Sequence, residues 1–455
     1  MSRYLSIGIA VVFAVAGPSF GQERMAIKGG RIITGNGSVI ENGVILVRNG
    51  KIEAVGKDLS IPSEAKVVDA AGKVIVPGFI EAHSSRGMDQ SNESNPNVPF
   101  LSVVDAIDPS QEYFEDCRRN GVTTVAIVPG NNTMFGGQAA IIKTYGSIVD
   151  DMIVKRSAGI KISLKPIGDR NRMGHLATVR KELDSARLGL KDEKKDDGKA
   201  ASTTSAESKS ESKYTPDDTP LQPRRNQQRP TGGGPATNDP PDAALVREAL
   251  TKLIKGDSLA FIYCDLAMDV PQAIKLAQEF KLKAVLVLGP DCHKAVKQVA
   301  ASKLPVVLDP QLVYWETDSR TGDDKQIILP KVYRDAGVPV TFQVTAGAAG
   351  NLFRAPNLPA TIGTNYLWYQ AATAVKYGMP ADEALTSITQ RAADTIGAGK
   401  VVGSLEPGKD ADLVILTGDP LKLDTWVDKT VIAGKVVYER DQDRKLKNLL
   451  KPTDK

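Results

Sequence analysis

The sequence predicts an α/β chain: a (β/α)8 barrel carrying one polar insertion, joined to a β module drawn from both chain ends. Three observations carry this reading. Short alternating apolar runs broken by glycine fill Ile27–Val76 and return at 410–440. Between them, nearly continuous apolar runs alternate with stretches of helical periodicity. One stretch, 191–243, holds almost nothing to bury.

The first β stretch reads GGRIITGNG, GVILVRNGKIEAVG and KVVDAAGKVIVPG, and the distant one DADLVILTGD and KTVIAGKVVYER. Alternation with glycine-marked turns is the signature of hairpins with one buried face. Each set is short of partners by itself, so 25–76 and 400–445 are expected to form one module. The barrel is expected over 77–399, its strands being VIVPGFIEAH, VTTVAIVPG, GQAAIIKT, GIKISL, SLAFIYCD, AVLVLG, LPVVLDP and VPVTFQV. Runs apolar on both faces are what parallel strands covered by helices look like. Helical spacing is visible at Ser110–Asn120, Leu176–Leu188, Val270–Phe280, His293–Ala301 and Ala381–Ile396. Eight strands in alternation with helices favour a closed barrel; a doubly wound open sheet is the rival.

Composition bounds the function classes. A chain of 455 residues with 41% hydrophobic residues can bury a large core. The net charge of +4 is spread thinly, and no Lys/Arg block with interleaved aromatics marks a nucleic-acid surface. Arg3, the apolar run Leu5–Ala16 and small residues at Ser19 and Gly21 read as an export signal over 1–21, cleaved before Gln22. A retained N-terminal anchor is the rival reading, although the run is short for a bilayer span. Cleavage would leave an exported, periplasmic or extracellular protein with no membrane segment. The three cysteines, Cys117, Cys264 and Cys292, cannot supply a disulfide framework. In 191–243 the Lys/Glu/Asp, Ser, Pro and Gly composition cannot offset the entropy of ordering, and disorder is expected there.

Three stretches resemble the metal-dependent amidohydrolases, above all imidazolonepropionase-like ones. They are GGRIITGNGSVIENGVILVRNGKIEAVG with VIVPGFIEAHSS, the middle segments NGVTTVAIVPGNN, FGGQAAIIK and RMGHLATVRKELDSA, and the close ADEALTSITQRAADTIGAGKVVGSLEPGKDADLVILTGDPL. The resemblance implies a composite β-sandwich beside the (β/α)8 barrel. It also implies hydrolysis of C–N bonds, often in cyclic amides, by water held on one or two divalent metals such as zinc. That chemistry needs neutral imidazoles as ligands and a carboxylate to take the water's proton.

Carried over position by position, the implied metal set is depleted. The family ends its first barrel strand with two histidines one residue apart. Here EAHSS offers His83 and then Ser85, with Ser84 on the other face. The histidine of strand 5 is replaced by Tyr263, a shift of one or two positions offering Cys264 or Asp265 instead. Strand 6 has Leu288, which coordinates nothing. Strand 8 has Thr345 where the family places its basic aspartate, and a hydroxyl is not a base at neutral pH. Lys165 or Lys161 stands where some relatives carry a metal-bridging lysine. A dinuclear site of the usual kind takes four histidines, and the whole chain has three: His83, His175 and His293.

Two rescues remain open in the sequence. Cys264, Asp265, Cys292 and His293 offer donors that suit a relocated zinc, though their spacing matches no known signature, and the two cysteines could instead pair after export. A covalent mechanism lacks its motifs, since no G-x-S-x-G, P-loop or dinucleotide fingerprint occurs. The expectation is therefore a family member that holds no metal cofactor and serves by binding, as a homo-oligomer or as partner of an active relative. The alternative is a working exported hydrolase with a mononuclear or relocated metal.

Overall fold

The computed structural model describes residues 23–200, 242–344 and 366–449. The expected signal over 1–21, Thr345 and most of the polar insertion lie outside those residues. Two compact units divide the chain, one running to Gly78 and resuming at Ser404, the other spanning Phe79–Gly403.

The first unit is built on one eight-stranded sheet. Five strands come from the N-terminal side: β1 Arg24–Ile33, β2 Val39–Arg48, β3 Lys51–Gly56, β4 Lys66–Asp69 and β5 Val74–Pro77. Three come from the C-terminal side, numbered last in chain order: β16 Leu413–Leu416, β17 Val427–Ile432 and β18 Lys435–Glu439. The sheet runs β18-β17-β16-β5-β1-β2-β3, with β4 also on β1. The two ends of the chain meet where β16 lies antiparallel to β5, from Leu413 opposite Pro77 to Leu416 opposite Val74. Every residue of both strands is buried. Ile27, Ile45, Ile75, Leu413, Ile415 and Val431 share one apolar cluster, so strands from both ends enclose the same core.

The second unit carries its own eight-stranded sheet. Its strands are β6 Phe79–Ser84, β7 Val122–Ile127, β8 Phe135–Lys143, β9 Ile153–Ser163, β10 Leu259–Cys264, β11 Ala284–Leu288, β12 Val306–Val307 and β15 Val340–Thr341. They follow one another round a nearly closed barrel in the order β15-β12-β11-β10-β9-β8-β7-β6. A separate antiparallel hairpin, β13 Val313–Thr317 and β14 Asp324–Ile328, sits between β12 and β15 in the chain.

One strand departs from the eightfold parallel expectation. β8 is antiparallel to both β7 and β9. Its connections, residues 128–134 and 144–152, are too short for a crossover, which takes about a dozen residues or more. The helices are α1 Glu112–Arg119, α2 Val149–Met152, α3 Arg172–Ala200, α4 Ala243–Lys255, α5 Val270–Glu279, α6 Val296–Ser302, α7 Leu329–Asp335, α8 Leu367–Lys376, α9 Ala381–Ser387, α10 Gln390–Thr395 and α11 Arg444–Leu449.

Two further expectations change. The periodic stretch Ala381–Ile396 is two helices, because the chain breaks at Ile388–Thr389 and frees the Ile388 carbonyl to accept from Ile80 N at 2.7 Å. Residues 191–200, expected to be disordered, continue α3. Extending a nucleated helix through lysine, glutamate and aspartate escapes the nucleation cost and needs no buried face. No helix among the described residues is long and apolar enough to cross a membrane.

Truncating the chain after Gly403 removes β16–β18 and leaves β5 a bare apolar edge. We expect the product to aggregate, as light scattering after size exclusion will show. A monomeric product with a cooperative unfolding transition would contradict the pairing of the two chain ends.

Candidate functional site

The strand alternation of β9 and β10 sets one row of side chains together in the barrel. Phe261 lies opposite Lys161, and Tyr263 opposite Ser163. β8 approaches this row through Gly136, where an added Cβ would come within 2.9 Å of Pro129 and 3.1 Å of the Lys161 Cβ. Across the barrel, β6 contributes His83, whose ring centroid is 6.4 Å from that of Phe261.

Lys161 and His83 touch. The lysine Nζ is 2.8 Å from His83 Nε2, and Nδ1 of the same ring is 2.7 Å from Gln343 Oε1. Gln343 Nε2 in turn donates to the Leu308 carbonyl at 2.9 Å. A carbonyl only accepts, so it fixes every orientation upstream. Gln343 must turn Oε1 to the histidine, His83 must carry its proton on Nδ1, and Nε2 must present a lone pair to the amine. Lys161 is fully buried and His83 is 5% exposed. Burial pushes Lys161 down to about 7, and the Lys161 ring partner is Tyr263, whose centroid is 5.4 Å from Nζ. Burial, then the charge of Lys161, holds His83 well below the ordinary imidazole range. Near neutral pH the pair is therefore poised between a neutral amine and an ammonium beside a neutral ring.

A second buried group stands beside it on β6. Glu81 Oε2 accepts from Tyr113 Oη at 2.9 Å, and Oε1 accepts from Val344 N at 3.3 Å. Tyr113, on α1, also lies 3.0 Å from Ser84 Oγ, whose hydroxyl can donate to it, while the Arg86 guanidinium lies 4.5 Å from the tyrosine ring centroid. Burial raises Glu81 to about 7 against the lowering effect of these partners. Asp309, whose carboxyl is enclosed although the residue keeps some exposed surface, is raised by burial to about 6.

The sequence-derived positions separate in space. Of the two lysines, Lys161 joins His83, whereas Lys165 lies half-exposed with Nζ 3.4 Å from Asn132 Oδ1. Ser85 follows β6 half-exposed. Leu288 closes β11 fully buried and offers no donor. Tyr263 donates to Asp265 Oδ1 at 3.1 Å, and burial raises its phenol further from ionisation. The relocated set does not converge. The Cys292 thiol donates to the Cys264 carbonyl at 3.2 Å, and both cysteines are free and buried rather than bridged. Asp265 faces Arg172, whose Nη2 is 3.4 Å away and whose Nε donates to Asp269 at 2.9 Å. His293 Nδ1 lies 2.9 Å from the Pro290 carbonyl and 3.0 Å from Tyr314 Oη. His175 is buried on α3, where Nε2 donates to the Ser163 carbonyl at 2.8 Å.

Among the described residues the donors do not fit the two-metal centre the resemblance implies. Both ring nitrogens of His83 are engaged, the other two histidines point elsewhere, and no group of three His, Cys, Asp or Glu among the described residues could hold a metal. Sequence reasoning missed Glu81, Tyr113 and Gln343. Glu81 lies two positions before His83 and Gln343 two before Thr345, so strand alternation around the expected ligands was the usable signal.

Residues 264–437 match the amidohydrolase family model. An amidohydrolase from Thermotoga maritima superimposes with a TM-score of 0.70 at 26% identity, covering 91% of this chain and all of that one. The chain is thus similar to the amidohydrolase family in sequence over residues 264–437 and in fold over most of its length. Within it, the imidazolonepropionase of Thermoplasma volcanium is similar at 23% identity over 90% of this chain and 93% of its own. Other relatives match over less of their length. The amidohydrolase tasK of Hapsidospora irregularis is 23% identical over 85% of this chain but 39% of its own, and the dihydroorotase of Geobacter sulfurreducens is 30% identical over 32% and 29%. This chain thus spans well under half of those two proteins.

The Lys161 shift predicts a pH slope in stability. Its folded value of about 7 lies below the ordinary 10.5, so the unfolded chain binds the extra proton between those two values. Lys161 therefore costs the fold stability, and that cost shrinks as pH rises from about 7 towards 10.5, at about 1.4 kcal/mol per unit at most. Urea unfolding of wild type and Lys161→Met from pH 7 to 10 should show this slope in the difference between them. Parallel stability curves would mean the lysine is charged in the fold.

Proposed function

We propose that this protein is an exported amidohydrolase-lineage barrel that no longer performs two-metal hydrolysis and serves by binding, as a partner of an active relative or as a homo-oligomer. The observation that carries this reading is the spacing of 2.8 Å between His83 Nε2 and Lys161 Nζ. The lone pair that a metal would take is occupied by an amine, and the Leu308–Gln343 chain holds the ring in that tautomer. Leu288 and Tyr263 support it, since neither supplies a ligand where the family has histidine. Export rests on the charge and apolar pattern of residues 1–21.

A second reading has an observation of its own. His83 and Lys161 have stayed together in a barrel whose relatives include an imidazolonepropionase and a dihydroorotase. That supports a hydrolase of cyclic amides or related C–N bonds working with one divalent metal, such as zinc, or a relocated one.

Elemental analysis after expression with zinc, manganese and iron supplements separates the two. We expect clearly less than one metal per chain after dialysis. A metal held at about one equivalent or more, lost on His83→Ala, would support the hydrolase and remove the binding-protein reading.

A further inference from the structure

We propose that the barrel has a second binding site, for a small carboxylate with an apolar body, at the end opposite the His83–Lys161 pair. A cavity of roughly 430 Å³ opens there, within the size range of small-molecule sites. Its position follows from the chain. Lys303–Pro305 lead into β12 and Gly337–Pro339 lead into β15, so these walls stand at the N-terminal ends of barrel strands. Gln343 and Val344, which hold His83 and Glu81, follow the C-terminal end of β15. α10 forms the third wall with Arg391, Asp394 and Thr395.

Val299, Leu304, Pro305, Val338 and Pro339 make most of the lining apolar. The charges at the rim favour an anion. Arg391 Nη1 donates to Ser387 Oγ at 2.8 Å and towards the Glu383 carbonyl at 3.5 Å, and it lies 3.9 Å from Glu383 Oε1, a carboxylate that Arg334 Nε shares at 3.8 Å; Nε and Nη2 of Arg391 have no hydrogen bond among the described residues. The Lys303 ammonium likewise has no partner among them. Asp394 is the one carboxylate in the wall, and its Oδ1 already accepts from Gln390 Nε2 at 2.9 Å. With Glu383 shared between Arg334 and Arg391 and Asp394 partly satisfied, the free N–H edge of Arg391 and the Lys303 ammonium leave room for one further negative charge. The planar free edge of a guanidinium pairs with a carboxylate through two parallel N–H donors. A neutral molecule of the same shape gains only the apolar contact.

The site also bears on the barrel interior. Arg391 and Asp394 face the cavity, while Ala392, Ala393 and Ile396 of the same short segment lie in the core cluster with Ile80 and Phe261. Phe261 is the ring that meets His83. An occupant would brace the helix that closes this end of the barrel.

The test is ¹⁹F NMR of 4-fluorophenylacetate with the full chain, against the neutral 4-fluorophenylacetamide. The acid should broaden and saturate at concentrations where the amide does not. Arg391→Gln and Lys303→Asn should each weaken it by about tenfold or somewhat less. Asparagine suits the left-handed backbone of Lys303, at φ 56°, so that variant keeps its fold. Ala300→Trp, which fills the cavity, should abolish binding with the circular dichroism unchanged. Equal binding of acid and amide, unchanged affinity in Lys303→Asn, or no binding of the acid at about 10 mM would overturn the proposal.

Discussion

The first and last strands of the barrel are joined by side chains. Among the described residues no backbone ladder links β6 to β15, and the seam is made instead by His83 on Gln343 and by Glu81 on Val344 N. Each bond is individually worth little, about 1 kcal/mol net, but leaving any of these buried groups unpaired costs more than making the bond gains. The seam therefore has to be satisfied as a whole. That constraint explains why β6 keeps a carboxyl and an imidazole in an interior otherwise lined by Ile80, Ala82, Phe261 and Val287. It also explains why Gln343 is held from behind by Leu308: the barrel closes only if the amide and the ring each present the correct atom.

Lysine in such a place raises a problem of charge. No ion pair to Lys161 occurs among the described residues, and its contacts are an imidazole lone pair and the face of Tyr263. Moving an uncompensated ammonium out of water costs several kcal/mol or more, and proteins avoid the cost by letting the group lose its proton. The downward displacement of Lys161 and the upward displacement of Glu81 are the same response from opposite signs. Near neutrality the two groups approach an interior with no net charge. The alternative, a direct Lys–Glu pair, would need the two side chains together; Glu81 is instead engaged by Tyr113 and Val344.

Much of this architecture is legible in the residues, and the illegible parts have physical reasons. Apolar runs mark all eight barrel strands because burial on both faces demands them. Their direction is a matter of connection length, and residues 128–134 were short enough to signal that β8 must reverse. The joining of the two chain ends follows from alternation, since β5 and β16 are each incomplete alone. The split of Ala381–Ile396 is invisible in periodicity, because a carbonyl needed by Ile80 on another element imposed it. At the site, residue identity singled out His83, which the structure buries, but could not choose Lys161 over Lys165. Both lie near the end of one strand. Only the pairing of Phe261 opposite Lys161 shows which of them faces the histidine.

These points bear on how a barrel changes its chemistry without changing its fold. Metal ligands are polar groups held in an apolar interior, and a metal satisfies them all at once. Remove several, and those that stay need new partners or become a liability of a few kcal/mol each. On the reading proposed above, His83 and Lys161 are two such groups, and they have paired with each other. The neutral imidazole turns its lone pair to an N–H of the amine, and Leu288, buried at the end of β11, needs no partner. The same geometry makes reversion demanding. A metal arriving at His83 must displace Lys161, and the freed amine then needs either water or a counter-charge inside the barrel. Single substitutions towards histidine would add another unsatisfied ring before any metal could bind. An interior so arranged keeps the barrel whatever use the site is put to, because fold and site answer to separate constraints.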